Sequence, residues 1–415
     1  MTICGGELGK GKAMVLKLRQ EGIIKLLFTL LILYVNFIQY KVYQNSLIML
    51  GLGTIIIGMT FLNAIHQGRF VIEKPITTLL LFTIYMAIPT LLFGNSESSA
   101  EYVTVIEYTI ILICLIKFCT SINDVEWLIK VKVLCTIFIC IAFVLNPTVY
   151  HDKVNTIQYT LVQSLNPNTF SLDILIGLWS LLYLNAKKKI NMLVTSMISL
   201  LFMYCIFITA ARKSLLCALL AIILWILWIY IPGKGSQKRT AILGRILVIV
   251  ILGFIIVYYT MKNLMDAEMF YRFQSLLSGG DGSANKRLNM YIEGFHTFIS
   301  NPILGYGVGG FQSLYGGYSH ATVVEVPVSG GIIGALLYGK FFLEMIMGTK
   351  RVKDLKVLKK MDCSGDIMNL ILCIIMVVLC VCVIHPYLFN SYIAIAIIIS
   401  LYTISRNEIV KCDSE

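Results

Sequence analysis

His320 is the residue of this chain best suited to proton chemistry. An imidazole has an ordinary pKa near 6.5 and can take a proton from a hydroxyl as a general base. His320 stands where a long polar loop runs back into an apolar stretch, and Glu325 follows five residues on. That glutamate either orients the imidazole or is a buried structural partner, and the spacing leaves both readings open. The second group is cationic. Arg212 and Lys213 sit at the edge of an apolar run in Ile208-Thr209-Ala210-Ala211-Arg212-Lys213-Ser214, while Arg272 and Arg287 fall in the long loop. Charge at membrane depth is costly without a partner, and guanidinium groups hold phosphate oxygens through paired hydrogen bonds. Several such cations facing one groove suit an anionic lipid headgroup such as a pyrophosphate. The bland alternative is a basic residue snorkelling at a span end. Of the other histidines, His66 and His151 lie in polar loops, His296 on a predicted amphipathic helix, and His385 beside Pro386 at a span end.

These residues must be positioned by membrane helices. Of the 415 residues 58% are hydrophobic and only 13% charged, a balance that points to lipid as the solvent. Lipid offers backbone amides no water, so spans are helices or a closed barrel, and the apolar stretches here are continuous rather than alternating, which selects helices. Windows of about 20 apolar residues fall at 22–40, 46–65, 75–93, 102–119, 127–145, 170–185, 190–209, 213–231, 242–260, 323–347, 367–385 and 387–405. The expected fold is all-α: a polytopic membrane helical bundle of about 12 transmembrane helices, forming a single integral membrane domain over 1–415. The start is polar and no small-residue cleavage site follows the first apolar run, which therefore reads as a span.

The net charge of +12 would suggest nucleic acid in a soluble protein; in this chain its placement matters more, and no nucleic-acid partner is expected. With the N-terminus inside, loop after loop carries an excess of Lys and Arg on the cytoplasmic side, about threefold in all. Both termini are then cytoplasmic, and the two long outer segments are 146–169 and the large extracytoplasmic loop 261–321. The inner loops are too short to hold a catalytic domain, so any chemistry belongs outside. None of the twelve cysteines falls in the outer segments, so no structural disulfide is expected. Cys380-x-Cys382, inside an apolar run, reads as core or lipid-facing rather than as a metal site.

Within the large loop, Leu288, Ile292, Phe295 and Ile299 recur at helical spacing, with Lys286, Arg287, Asn289 and Glu293 off that stripe. An amphipathic helix over 285–300, ended by Asn301-Pro302, either lies on the membrane surface over a site between spans or simply packs its apolar face on the bundle. A second amphipathic segment is expected over 267–277. The run from Gly305 to Gly310 matches G-x-G-x-x-G, yet no strand precedes it, so a dinucleotide site is rejected; its glycines are expected to make tight turns and close backbone approaches. The outer carboxylates Asp152, Asp266, Glu268, Asp281 and Glu293 form no tight cluster, so no metal site is expected.

Taken together, these motifs resemble the O-antigen ligase and O-antigen/capsular polysaccharide polymerase family. Asn301-Pro-Ile-Leu-Gly-Tyr-Gly-Val-Gly-Gly-Phe311 is similar to its NPxxGxGxxxF stretch, and His320-x4-Glu325 with Gly330-Gly331-Ile-Ile-Gly334 is similar to its HNxxxE…GxxG. The segment from Thr209 to Leu220 resembles TxSRxxxLxxL with Arg212 at the arginine, Asn166-Pro167-Asn168 resembles NPN, and Arg287 precedes the amphipathic helix as a family arginine does. The likeness spans roughly 160–345. It departs at Ala321, where the family has Asn after the histidine, and at Ala211, where it has Ser before the arginine.

The resemblance implies glycosyl transfer on the outer face of the cytoplasmic (inner) membrane, without cofactor or metal and with inversion. The donor would be a glycan on polyprenyl pyrophosphate and the acceptor a sugar hydroxyl. His320 would be the base, with Glu325 beside it; Arg212, Arg287, Lys213, Arg272 and Asn168 would hold the pyrophosphate. Partners beyond the bilayer would be a flippase and a chain-length regulator. A repeat-unit polymerase for capsule, O-antigen or exopolysaccharide is favoured slightly over a ligase serving another acceptor, because no dedicated acceptor module is visible. A flippase for the same lipid-linked glycan is the alternative of another class; the absence of an internal repeat and the charges near the outer boundary argue against it.

Overall fold

The computed structural model describes residues 21–34, 51–60, 73–145, 148–149, 157–159, 162–165, 167–209, 211–230 and 282–414. The chain is helical. It runs through α1 (21–33), α2 (Gly51–Thr60), α3 (Lys74–Tyr85), α4 (Ala87–Phe93), α5 (Ser96–Phe118) and α6 (Ile122–Leu145). After α7 (Pro167–Ala186), α8 (Met192–Ile208) and α9 (Arg212–Trp225) come α10 (Gly282–Ser300), α11 (Gly310–Tyr315), α12 (Thr322–Leu358), α13 (Ser364–Leu379) and α14 (Phe389–Ser414). Between α6 and α7 the expected outer loop holds a small antiparallel sheet, β1 (Thr148–Val149), β2 (Ile157–Tyr159) and β3 (Val162–Leu165) in that order, with an irregularity between Ile157 and Tyr159.

Seven helices among the described residues are long and apolar enough to cross a membrane: Lys74–Phe93, Ser96–Phe118, Ile122–Leu145, Asn168–Ala186, Arg212–Ile229, Thr322–Leu358 and Phe389–Ser414. Gly51–Thr60, Met192–Ile208 and Ser364–Leu379 are apolar but shorter. Against the expected count of about twelve, seven of the described helices qualify on this measure, since a helix rising 1.5 Å per residue needs roughly 20 residues to cross. The expected span at 242–260 and the amphipathic segment at 267–277 lie outside the described residues.

The centre of the bundle is α7. Its residues are apolar around the whole circumference, as a helix enclosed by other helices requires, and Trp179 and Tyr183 are fully buried. Gly177 lets α6 close in, because a Cβ there would run into Thr136. On the far side the Trp179 indole donates to Met368 O of α13 at 2.8 Å. Lys132 lies within α6, where it pairs with Asp173 of α7. Both are buried, and each charge makes the other tolerable in an apolar interior.

One end of the bundle is laced by ion pairs. Lys25–Asp124 (2.9 Å), Lys187–Asp362 (2.7 Å) and Lys189–Glu126 (3.2 Å) lie there, with Lys356 between Asp366 (3.2 Å) and Glu408 (2.8 Å) and Arg406 gripping both oxygens of Glu73. The other end gathers the starts of α5, α7, α9, α12 and α14 with the ends of α4, α6, α8 and α13.

Helix α12 is broken near that second end. Pro327 removes one amide, and Gly331 takes φ 59° and ψ −160°, a conformation open to glycine. The freed carbonyls are used at once: Tyr306 N donates to Val328 O at 2.9 Å and Gly307 N to Ser329 O at 2.8 Å. The glycine-rich loop thus docks backbone to backbone, as its composition led us to expect. A Cβ on Gly305 would lie 2.6 Å from Val328 O, and one on Gly307 2.7 Å from Thr90 Cα. Tyr85 fastens the assembly by donating to Gly330 O (2.8 Å) and Ile303 O (3.2 Å).

Two stability outcomes are expected in detergent-solubilised protein. Lys132→Met, which strands Asp173, should cost about 3–5 kcal/mol, with much of the loss recovered in Lys132→Met/Asp173→Leu; thermal melting checks both. Gly331→Ala should cost about 2 kcal/mol or more, because a Cβ would overlap the Ile303 carbonyl at a backbone conformation alanine avoids.

Candidate active site

The turn that ends α13 organises this end of the bundle. Four successive carbonyls there, Cys380 to Val383, each meet a donor from elsewhere in the chain. Val323 N donates to Cys380 O at 3.1 Å, the Tyr291 hydroxyl to Val381 O, the Lys213 ammonium to Cys382 O at 2.7 Å, and Thr322 N to Val383 O at 2.9 Å. Thr322 also gives its hydroxyl to Val383 O and accepts from His385 N at 3.0 Å. These carbonyls lie just beyond the helix, where no ladder supplies donors, and they are satisfied by the first turn of α12, by α10 and by α9. Cys380-x-Cys382, read from sequence as core, contributes through its backbone. His385 is buried, with Nδ1 3.0 Å from Ser391 Oγ and Nε2 3.1 Å from Met376 O, and is structural as expected.

His320 precedes α12 in a left-handed conformation, φ 59°, which is uncommon for any residue but glycine and costs about 1–3 kcal/mol. Its neighbours hold it there. Ser319 donates from Oγ (2.7 Å) and N (3.4 Å) to Glu325 Oε2, and Ala321 is fully buried at the helix N-cap. Glu325 therefore grips the residue before the histidine, and its second oxygen accepts from the Tyr387 hydroxyl at 3.4 Å. Of the two roles left open by sequence, the described contacts match the buried partner that sets the loop, with no hydrogen bond from Glu325 to the imidazole. Where the family has Asn after the histidine, Ala321 fits because Cys380 O and Val383 O already serve the adjoining amides.

His320 faces a cavity of about 280 Å³ that is also lined by Lys213, Asn168, Thr169, Tyr318 and Tyr387. Asn168 and Lys213 are brought together by a short seam: Ser171 Oγ donates to Asn168 O at 3.0 Å and lies 2.8 Å from Ser214 Oγ, joining the starts of α7 and α9. The Lys213 ammonium spends one of its three protons on Cys382 O, and the residue lines the cavity. Arg212 opens α9 half-buried, but the wall is formed by its neighbour Lys213. Arg287 stands half-buried on α10, close enough for its charge to act on His320. Arg272 lies outside the described residues.

Burial first, then the charges of Arg287, Lys213 and Lys286, hold the His320 pKa below its usual 6.5. The imidazole is thus a free base at neutral pH. Among the described residues no carboxylate is paired with Lys213 or Arg287, unlike Lys25, Lys187 and Lys356 at the opposite end. The same is true of metal ligation: no three His, Cys, Asp or Glu side chains converge among the described residues.

Helix α10 confirms the expected amphipathic segment and decides which face packs. Gly294 lies against Val324 and Phe311, and the Thr297 hydroxyl meets that of Tyr315 at 2.8 Å. Leu288, Ile292, Phe295 and Ile299 are all exposed, so the apolar stripe does not pack on the bundle. Small residues permit the closer approach, and they lie on the opposite side of this helix. Sequence reasoning missed Tyr318, Tyr387 and Glu101. The first two carry no motif, and Glu101 sits on α5, far away in the chain.

Residues 197–339 match the family model described as O-antigen ligase. The match covers about a third of the chain and includes α9, α10, the glycine-rich loop, His320 and the break in α12. It bears out the resemblance drawn from the motifs, and with the apolar helices it points to a membrane enzyme of glycan transfer. No curated protein matched the chain.

Carbethoxylation of His320 by diethyl pyrocarbonate, which needs the neutral imidazole, should follow a pH profile with its midpoint below 6.5. In Arg287→Met the midpoint should rise, because removing a nearby cation favours the protonated form. Mass-spectrometric quantification of the modified peptide reads both.

Proposed function

We propose that this chain, with its O-antigen ligase domain, polymerises polyprenyl-pyrophosphate-linked oligosaccharide repeat units on the extracytoplasmic face of the inner membrane, for capsule, O-antigen or exopolysaccharide. The observation that carries this reading is the convergence of a neutral His320 and the Lys213 ammonium on one cavity, with Arg287 nearby. A base and cations side by side are what attack by a hydroxyl and departure of a pyrophosphate require.

In the proposed reaction His320 removes the proton of the acceptor hydroxyl as its oxygen attacks the anomeric carbon of the donor. The bond from that carbon to the pyrophosphate oxygen breaks, and its electron pair leaves with the pyrophosphate. Lys213 and Arg287, with Arg212, Asn168 and Arg272 as further candidates, stabilise the charge that develops there. A single displacement on the face opposite the leaving group inverts the anomeric centre. Glu325 is a positioning residue: it fixes Ser319 and thereby the backbone of His320. The cations take the neutralising role a divalent metal would otherwise fill, so the transfer is expected to be metal-independent. A flippase delivering the donor and a chain-length regulator are the expected partners.

The ligase alternative is favoured by the description of the matched family and differs in the acceptor. Purified protein incubated with a lipid-linked repeat unit separates the two. A polymerase makes a ladder of longer glycans, whereas a ligase makes none until a different acceptor is added. His320→Ala is expected to lower the rate about 10²–10⁴-fold, and Lys213→Met or Arg287→Met about 10²–10³-fold. The acid limb of kcat/KM should fall below pH 6.5, and chelator should leave the rate unchanged. A ladder that persists in His320→Ala would overturn the mechanism.

A further inference from the structure

The cavity has two unlike walls. The charges acting on His320 are the cations Arg287, Lys213 and Lys286, whereas those acting on Tyr318 are the carboxylates Glu101 and Glu325. The second wall is built from two tyrosines, Tyr318 and Tyr387, whose rings are 5.8 Å apart and inclined at 55°. Both hydroxyls are committed behind the wall. Tyr318 donates to Glu101 Oε1 at 2.7 Å. Tyr387 accepts from Gly309 N at 2.6 Å and faces Glu325 Oε1 at 3.4 Å. Tyr318 is 38% exposed and lines the cavity, and with its hydroxyl spent on Glu101 what it has to offer there is its ring.

Glu101 is held for this task. Its carboxylate lies against Gly309, where any Cβ would collide with it. Its Oε2 is shut off from solvent and has no hydrogen-bond partner among the described residues, an arrangement that costs free energy. Both tyrosine hydroxyls engage carboxyl groups, so among the described contacts this wall offers a pyrophosphate no cation. A neutral sugar needs none, and the C–H face of a pyranose packs well on the flat, electron-rich face of an aromatic ring. Tyr318 is also two residues from His320, so a sugar stacked on it presents a hydroxyl near the imidazole.

We propose that Tyr318 is the platform for the acceptor sugar and that Glu101 is the positioning residue that fixes its ring. This rests on the glycan-joining reading above and adds to it the place and chemistry of the acceptor subsite. It also explains why a helix outside the matched domain approaches the site.

The test uses the full-length protein in lipid nanodiscs and two binding probes, farnesyl pyrophosphate and the lipid-free oligosaccharide repeat unit. Tyr318→Ala is expected to weaken oligosaccharide binding about tenfold, the upper end of what an aromatic contact contributes, and to leave farnesyl pyrophosphate within about twofold. Glu101→Ala should weaken the oligosaccharide by about threefold, and Glu101→Gln, whose amide oxygen still accepts from Tyr318, should restore it. Glu101→Ala/Tyr318→Ala should be no worse than Tyr318→Ala alone, since the glutamate acts through the tyrosine. A purely structural role would instead lower the melting temperature and weaken both probes together, and that result overturns the proposal. If the wild-type protein binds farnesyl pyrophosphate and elongates glycans while Tyr318→Ala leaves oligosaccharide affinity unchanged, the platform fails and the function stands. If the wild-type protein neither elongates nor binds farnesyl pyrophosphate, the function fails and the platform with it.

Discussion

Four adjoining backbone carbonyls, from Cys380 to Val383, hold the candidate site together. They belong to the turn just beyond α13, which has no hydrogen-bond ladder of its own, so they must find donors elsewhere. Here the donors come from the three elements that carry the chemistry: α9 through Lys213, α10 through Tyr291, and α12 through Thr322 and Val323. Because each of these groups occupies a different carbonyl of one turn, their relative positions are set by the turn and not by the loops between them. The ammonium of Lys213 is delivered to the cavity edge as part of the same arrangement that starts the helix after His320.

The second constraint is the interruption of α12. A membrane helix that breaks must hand its freed carbonyls to other donors, since lipid supplies none. Val328 and Ser329 receive theirs from Tyr306 and Gly307, so the break and the glycine-rich loop exist for each other. The loop continues to Gly309, whose amide meets the Tyr387 hydroxyl, and through Tyr387 it reaches Glu325 and the segment bearing His320. Strain at His320 is thus maintained by a connected set of hydrogen bonds rather than by any single contact.

The two ends of the bundle also treat charge differently. At one end cations are neutralised by carboxylates in multiple pairs, and even the buried Lys132 has Asp173. At the other, Lys213 meets only a carbonyl among the described partners, while the carboxylates Glu101 and Glu325 engage tyrosine hydroxyls and Ser319. Cations and carboxyl groups are kept on opposite walls of one cavity, and no ion pair crosses it among the described residues.

The sequence by itself determined that the chain is a bundle of apolar helices, that a polar loop returns to it at His320, and that Gly305 to Gly310 needs close backbone approach. Each of these follows from hydropathy, periodicity or the conformational freedom of glycine, which are local properties. Only the tertiary structure decided that Lys213 forms the cavity wall beside its neighbour Arg212, since a shift of one residue on a helix turns a side chain by about 100°. It also decided that Glu325 serves Ser319 and Tyr387, that the apolar stripe of α10 points away from the bundle, and that Lys132 is interior. These outcomes depend on which helices become neighbours. So does the tyrosine wall, whose members Glu101, Tyr318 and Tyr387 are separated in the chain and carry no shared motif; nothing short of the folded arrangement places them side by side.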